Sequence, residues 1–441
     1  MTADARPRRI LLVDCDQFFV QVARLEDPEG AGRADLLIVG GSSSGRGVVT
    51  SASYPCREFG VRSAMPTGKA LRLCPDAMVV GVPRSACSER SRAVRAALED
   101  LAPVVQAASI DEFYLDVTGT ERLFRGESLT ETADRIRRTV HARSDIRVSI
   151  GGGTNRLVAK LATRRAKPNG VHVVAPGSEA DFLAEHDLAD IPGVGPALAA
   201  ELRAHGLSRV PDVLGVEREW LVRWFGERRA EWLRRRARGI GSDEVNPGEA
   251  RKSISAERTF SDDIDDDDEL ERRMLKLTVG VARQLRSEGF QARTLTVKLR
   301  DGDFTTRSRS HTFPEPVELD STLFPVARDL LGDLRGRRRT GARLIGVGLS
   351  NLVERDDGRQ LALFEERESF ESERMRQLHR TMDGVRDRFG ADALLPGRIV
   401  GDREGRSLDG RDVDDSDTDI DTGSDTDPDP DAQPDTNIEP R

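Results

Sequence analysis

Four carboxylates raise the question of chemistry. Asp14 closes the apolar run Ile10–Val13, Asp16 follows two residues later, and Asp111 and Glu112 stand side by side in "QAASIDEFYLDVTG", residues 106–119. The β-branched and aromatic residues of both stretches predict strands. Adjacent carboxylates in a half-buried strand repel each other and lose hydration, so something must compensate them. If the two strands are neighbours, Asp14, Asp111 and Glu112 gather at one sheet edge. Three carboxylates without His or Cys make a hard-oxygen site, suited to Mg²⁺ rather than zinc. Two such ions about 3.5–4 Å apart would activate an attacking oxygen and stabilise a leaving one in phosphoryl transfer. The plainer alternative is that Asp111 and Glu112 cap a turn and face water.

The elements that must position these groups alternate. Residues 8–13 predict a buried strand, 33–54 two strands joined by a Gly/Ser loop, 89–103 a helix stopped by Pro103, and 106–119 the strand carrying the acidic pair. A helix over 129–143, a strand over 146–153 and a helix over 155–166 follow, so the first 175 residues read as a layered α/β or α+β domain. A small helical region runs from 188 to about 241, then a polar linker over 242–253. Residues 253–355 predict a second α+β unit, with a helix over 268–288 and strands near 292–300, 304–312 and 343–351. The acidic run 261–271 reads as a helix N-terminus, where Asp is favoured. A helix is expected near 369–390, and the Asp-rich sequence beyond 401 is expected to be disordered.

Composition bounds the classes. A chain of 441 residues exceeds one core, so two to four domains are expected. Four scattered cysteines without a CxxC argue against a disulfide framework or a zinc site. No long apolar run predicts a membrane span, and the start lacks a secretory signal, so a cytoplasmic protein is expected. The net charge of −9 is set by the tail: residues 400–441 hold 15 acidic residues and four arginines, leaving the body near neutral. Only six of the 68 basic residues are lysine, a composition that hints at salt adaptation.

"VDCDQFFV", "VVTSASYPCREFGVRSAMP", "ASIDEFYLDVT" and "GGGTNRLVAKLATRRAKPNG" occur in that order. They resemble the successive signature blocks of the Y-family DNA polymerases, the DNA polymerase IV branch in particular, and the likeness extends over about residues 8–365. The resemblance implies an α+β multidomain right-hand polymerase, with a palm over 1–20 and 79–175, fingers over 21–78 and a thumb over 176–243. It further implies a linker over 244–252, a little finger over 253–355, a clamp-binding motif and helix over 356–400, and an acidic tail over 401–441. It implies translesion synthesis, error-prone and without proofreading, in which a primer 3′-oxygen attacks the α-phosphate of a dNTP with two Mg²⁺. Asp14 and Asp111 would bind both ions, Glu112 would complete the catalytic site, and the carbonyl of Cys15 would be a further ligand. Phe19 would be the steric gate against a ribose 2′-hydroxyl, and Tyr54, Arg57 and Lys160 would hold the nucleotide phosphates. Pro55, within the Tyr54 block, lacks an N–H and could shift the local backbone. A non-catalytic DNA-bound adaptor of the same fold is the alternative reading; it would have lost the carboxylates that this chain keeps.

Three further stretches bear on partners. "IPGVGPALAAEL" places Gly193 and Gly195 before a helix and resembles a helix-hairpin-helix motif, whose backbone N–H groups approach a DNA phosphate. In residues 292–313, Leu295, Val297 and Leu299 are expected to face a core, and Thr294, Thr296, Lys298 and Arg300 to face DNA phosphates, with Arg307 and Arg309 continuing that face on the next strand. "QLALF", with Gln360, Leu361, Leu363 and Phe364, resembles the peptides by which such polymerases dock on a sliding clamp. The expected partners are primer-template DNA, dNTPs and the clamp, with the chain itself a monomer.

Overall fold

Six consecutive buried residues, Ile10–Cys15, form β1, the central strand of the first sheet. The computed structural model describes residues 7–124, 126–248, 251–355, 371–390, 393–397 and 419–421. The chain divides into two units between residues 249 and 250.

In the first unit a two-residue turn leads from β1 into α1 (Phe18–Glu26). An insertion follows: β2 (Leu37–Gly40), β3 (Val49–Ala52), α2 (Tyr54–Glu58), α3 (Thr67–Leu73) and β4 (Met78–Val80), built on a small sheet of order β3-β2-β4. Then come α4 (Arg84–Glu99), β5 (Val104–Ala107), β6 (Glu112–Asp116), α5 (Leu129–Ser144), β7 (Val148–Gly153), α6 (Arg156–Ala166) and β8 (Val171–Val173). The main sheet has the order β5-β6-β1-β7-β8, with β1 antiparallel to both neighbours. The stretch 106–119 is not one strand: β5 and β6 form a hairpin, Ala107 opposite Phe113, and residues 108–111 are its bend. Asp111 therefore lies in the bend and Glu112 opens the strand.

The alternation of β1 divides the core. Leu11, Val13 and Cys15 pack against α4 and α5, while Ile10 and Leu12 face Tyr114, Ala159 of α6 and Val245. Ser128 and Glu131 close a capping box at the start of α5, a device worth about 1 kcal/mol. The glycines of β7 set how closely α6 lies on the sheet. A Cβ on Gly151 would fall 2.2 Å from both the carbonyl oxygen of Ala159 and the backbone nitrogen of Thr163, and one on Gly153 would fall 2.5 Å from Val158. The other side of α6 (Leu157, Leu161) enters the core of the helical region α7 (Glu179–Ala184), α8 (Pro196–Ala204), α9 (Val210–Gly215), α10 (Arg218–Phe225) and α11 (Glu227–Ala237). The start of the expected linker is docked rather than free: Val245 is buried, and the N–H of Asn246 donates to Gln106 Oε1 at 3.0 Å.

The second unit comprises β9 (Ser253–Ile264), α12 (Asp267–Ser287), β10 (Phe290–Asp301), β11 (Thr306–Val317), α13 (Asp320–Arg337), β12 (Ala342–Glu354), α14 (Glu373–Phe389) and β13 (Asp419–Asp421). Its sheet has the order β11-β10-β12-β9-β13, and α12 and α13 bury one face. The acidic run is split: Ser261–Ile264 end β9, and Asp266 caps α12 by accepting the N–H of Glu269 at 2.9 Å. Asp419–Asp421 pair with β9 inside the tail that was expected to be wholly disordered. No helix among the described residues is long and apolar enough to cross a membrane.

α14 docks on this unit through buried ions. Arg286, 6% exposed, donates to Asp383 at 2.7 and 3.0 Å and to the carbonyl of Glu318 at 2.8 Å, and His379 Nδ1 lies 2.9 Å from Asp320 Oδ1. Burial pushes the Asp320 carboxyl up, but His379 and Arg286 outweigh it and hold it below the ordinary value. A depressed folded pKa contributes stability that is present above the unfolded value, near 3.9, and lost as pH falls through the folded one. The protection of amides in residues 373–389, measured against their intrinsic exchange rates, is therefore expected to fall as pH drops below about 4. Asp320→Asn should remove that acid step and exchange faster already at neutral pH; an unchanged acid profile in the variant would refute the assignment.

Candidate active site

The two central strands bring the carboxylates together. Asp14, 7% exposed, is the register partner of Glu112. Asp111 is fixed beside them because its carbonyl accepts the N–H of Cys15 at 2.9 Å. The Ser109 hydroxyl donates to Asp111 Oδ1 at 2.6 Å and accepts the N–H of Glu112 at 3.0 Å.

Two lysines answer the charge. Lys160, one turn into α6, places Nζ 3.1 Å from Glu112 Oε2. Lys167, just past the end of α6, places Nζ 2.7 Å from Asp14 Oδ2. Even so, burial, with Glu112 and Asp111 nearby, pushes the Asp14 carboxyl up to about 7 against the pull of Lys167. Burial also raises Asp111, opposed by its Ser109 hydrogen bond. Burial pushes the Cys15 thiol well above its ordinary value, helped by the nearby Asp111 and Asp14.

Three acidic side chains face two ammonium groups, an all-oxygen set that could hold a hard divalent cation. Among the described residues no three His, Cys, Asp or Glu side chains are grouped so as to hold a metal ion; the ammonium groups hold Asp14 and Glu112 instead.

Phe18 is buried, and Phe19, partly buried, meets its ring edge-on at 5.5 Å. The Tyr54 hydroxyl donates to Asp16 Oδ1 at 2.9 Å, and the Arg57 guanidinium lies over the Tyr54 ring at 5.1 Å. Arg57 Nε donates to the carbonyl of Ala52 at 2.9 Å. Pro55 does not disturb this block: it lies in the first turn of α2, where a helix has no use for its missing N–H. Gly193 has φ +94°, a conformation that favours glycine, and Gly195 is the N-cap of α8.

On the second unit the face of β10 away from α12 and α13 carries Thr294, Thr296, Lys298 and Arg300. These pair with Thr312, Ser310, Ser308 and Thr306. Arg307 and Arg309 are instead opposite Leu299 and Val297, on the helix-covered side. Arg307 there donates to both oxygens of the fully buried Asp301 at 3.0 Å. Both arginines are thus removed from the expected DNA face. Gln360, Leu361, Leu363 and Phe364 lie outside the described residues. Lys167 and Ser109 were missed by the sequence reading.

The sequence profile of the impB/mucB/samB family matches residues 13–164, and that of its C-terminal domain matches residues 251–363. The DNA polymerase IV of Caulobacter vibrioides is 38% identical over 88% of this chain and 93% of its own length. That of Halorhodospira halophila is 39% identical over 78% and 95%. Among solved structures, a Y-family DNA polymerase chimera of Dbh and Dpo4 aligns with a TM-score of 0.70 at 28% identity, covering 78% of this chain and 99% of the chimera. An insertion ternary complex of Dbh DNA polymerase aligns at 0.57 with the same identity and coverage. The chain belongs to the Y-family of DNA polymerases, in the DNA polymerase IV branch. It is a DNA-directed DNA polymerase.

Proposed function

We propose that the protein carries out error-prone translesion synthesis, adding dNTPs to a primer 3′-hydroxyl. The observation that carries this reading is the pairing of Asp14 with Glu112 beside Asp111, faced by the lysines of and after α6. The main sheet would be the palm (1–20 and 79–175), the insertion the fingers (21–78), the helical region the thumb (176–243), residues 244–252 the linker and 253–355 the little finger. Asp14, Asp111, Glu112 and the Cys15 carbonyl would hold two Mg²⁺, and such ions would supply activation of an attacking oxygen and charge stabilisation of the leaving pyrophosphate. Tyr54 and Arg57 from one side and Lys160 and Lys167 from the other would hold the triphosphate; Arg suits this by its planar donors. Phe19 would crowd a ribose 2′-hydroxyl. Gly193 and Gly195 would present N–H groups to a DNA phosphate, and "QLALF" would dock a sliding clamp. A cytoplasmic monomer is proposed.

Primer extension by the full chain with Mg²⁺ and dNTPs, on intact and abasic templates, tests the proposal. DNA binding without any extension would sink it.

The open face of the second unit makes its own prediction. Lys298 Nζ lies 2.7 Å from Glu257 Oε1, reached across Gly346, where a Cβ would come within 2.9 Å of Glu257. Glu257 thus neutralises one of the two cations on β10's share of that face. Glu257→Gln is expected to tighten duplex binding at low salt and to steepen the slope of log K against log salt by about 0.9, the release of one further counterion. A titration with unchanged slope would place the duplex elsewhere.

A further inference from the structure

Asp16 is only 3% exposed, and its carboxylate accepts hydrogen bonds from three elements. The Tyr54 hydroxyl donates at 2.9 Å, the Ser149 hydroxyl at 2.9 Å and the backbone N–H of Asn169 at 2.7 Å. All three donors are neutral, and hydrogen bonds to a carboxylate are charge-assisted, each roughly twice as strong as a neutral one. The next residue grips the same tyrosine. Gln17 Oε1 accepts the Tyr54 N–H at 3.0 Å while its own backbone is left-handed, φ 41°. A non-glycine residue pays for that conformation, and here it aims the side chain at Tyr54. Asn169 lies two residues past Lys167, so one carboxylate ties both the tyrosine of α2 and the loop whose ammonium stands on Asp14.

We infer that Asp16 is a positioning residue for the incoming nucleotide. It sets Tyr54 and Lys167 at a fixed spacing across one triphosphate, and it holds the Tyr54 hydroxyl until a phosphate oxygen takes it. This rests on the polymerase reading above. Asp16 touches no reacting atom; it acts through Tyr54 and Asn169.

Single-nucleotide incorporation by the full chain, with Asp16→Asn, Tyr54→Phe and the double variant, tests the inference. Asparagine keeps the shape of aspartate and loses the charge. Asp16→Asn is expected to raise the dNTP KM about tenfold with kcat within about threefold of wild type and DNA affinity unchanged, the signature of lost ground-state binding. The double variant is expected to fall clearly short of the product of the two single effects, because the Tyr54 arm is shared and only the Asn169 arm adds to it. An unaltered KM, a fall confined to kcat, or effects that multiply would overturn the inference. If Asp16→Asn does not fold, Gln17→Gly decides: glycine takes the left-handed backbone freely, so a raised dNTP KM at wild-type melting temperature supports the grip on Tyr54 and a wild-type KM refutes it. Wild-type extension in the same assay keeps a failure here distinct from a failure of the polymerase reading.

Discussion

Asp111→Ala/Glu112→Ala should leave primer extension at least about 10³-fold below wild type, because the electrostatic groups that stabilise a developing charge commonly supply the largest part of a rate enhancement. The same variant should bind primer-template DNA as well as wild type or better, since two negative charges are removed from a surface that meets phosphates. Folding should survive. Glu112 opens β6 and Asp111 lies in the bend before it, so neither fills the core. Lys160 loses its partner but is not sealed in; its side chain is 24% exposed and can turn toward water. Extension assays and a DNA-binding titration on one preparation separate the outcomes. A double variant that still extends primers near the wild-type rate would remove these carboxylates from the chemistry.

Gly151→Ala should cost stability rather than chemistry alone. The new methyl would need space now held by backbone: the Ala159 carbonyl and the Thr163 nitrogen, each 2.2 Å away. No rotamer change relieves a clash with backbone, so α6 must lift from the sheet. Overpacking of this kind costs about 3 kcal/mol or more, roughly a hundredfold in the folded-to-unfolded ratio. A lifted α6 also carries Lys160 and Lys167 away from Glu112 and Asp14. The expected result is a lower denaturant midpoint at unchanged slope, with reduced extension by the fraction that remains folded. A wild-type midpoint would mean that the helix lies farther from the strand than these distances imply.

Much of the catalytic half was legible because its signals are local. The run Ile10–Val13 ends at Asp14, and the "GGG" before Asn155 marks a strand followed closely by a helix; the structure contains β1, β7 and α6 at those places. What failed was long-range or masked. The hairpin 104–116 read as one strand because Ile110 extends the apolar pattern through the bend. Arg307 and Arg309 were put on the wrong face because the register of β11 depends on its loop: with Arg300 opposite Thr306, even residues pair with even and the odd arginines join Leu299 and Val297. One residue more or less in that turn would reverse the outcome. α13 escaped notice because Pro325, Gly332 and Gly336 interrupt its helical pattern. β9 was hidden by its acidic end. Lys167 could not be tied to Asp14 from sequence, since only tertiary folding brings them to 2.7 Å.

The lysines on Asp14 and Glu112 bear on how the enzyme lives between reactions. A centre made only of buried acids would need its metal in order to fold, as small zinc domains do. This one carries internal counterions in its own lysine side chains, so a chelator should silence the enzyme without melting it. The scaffold then stays intact whether or not a cation is bound.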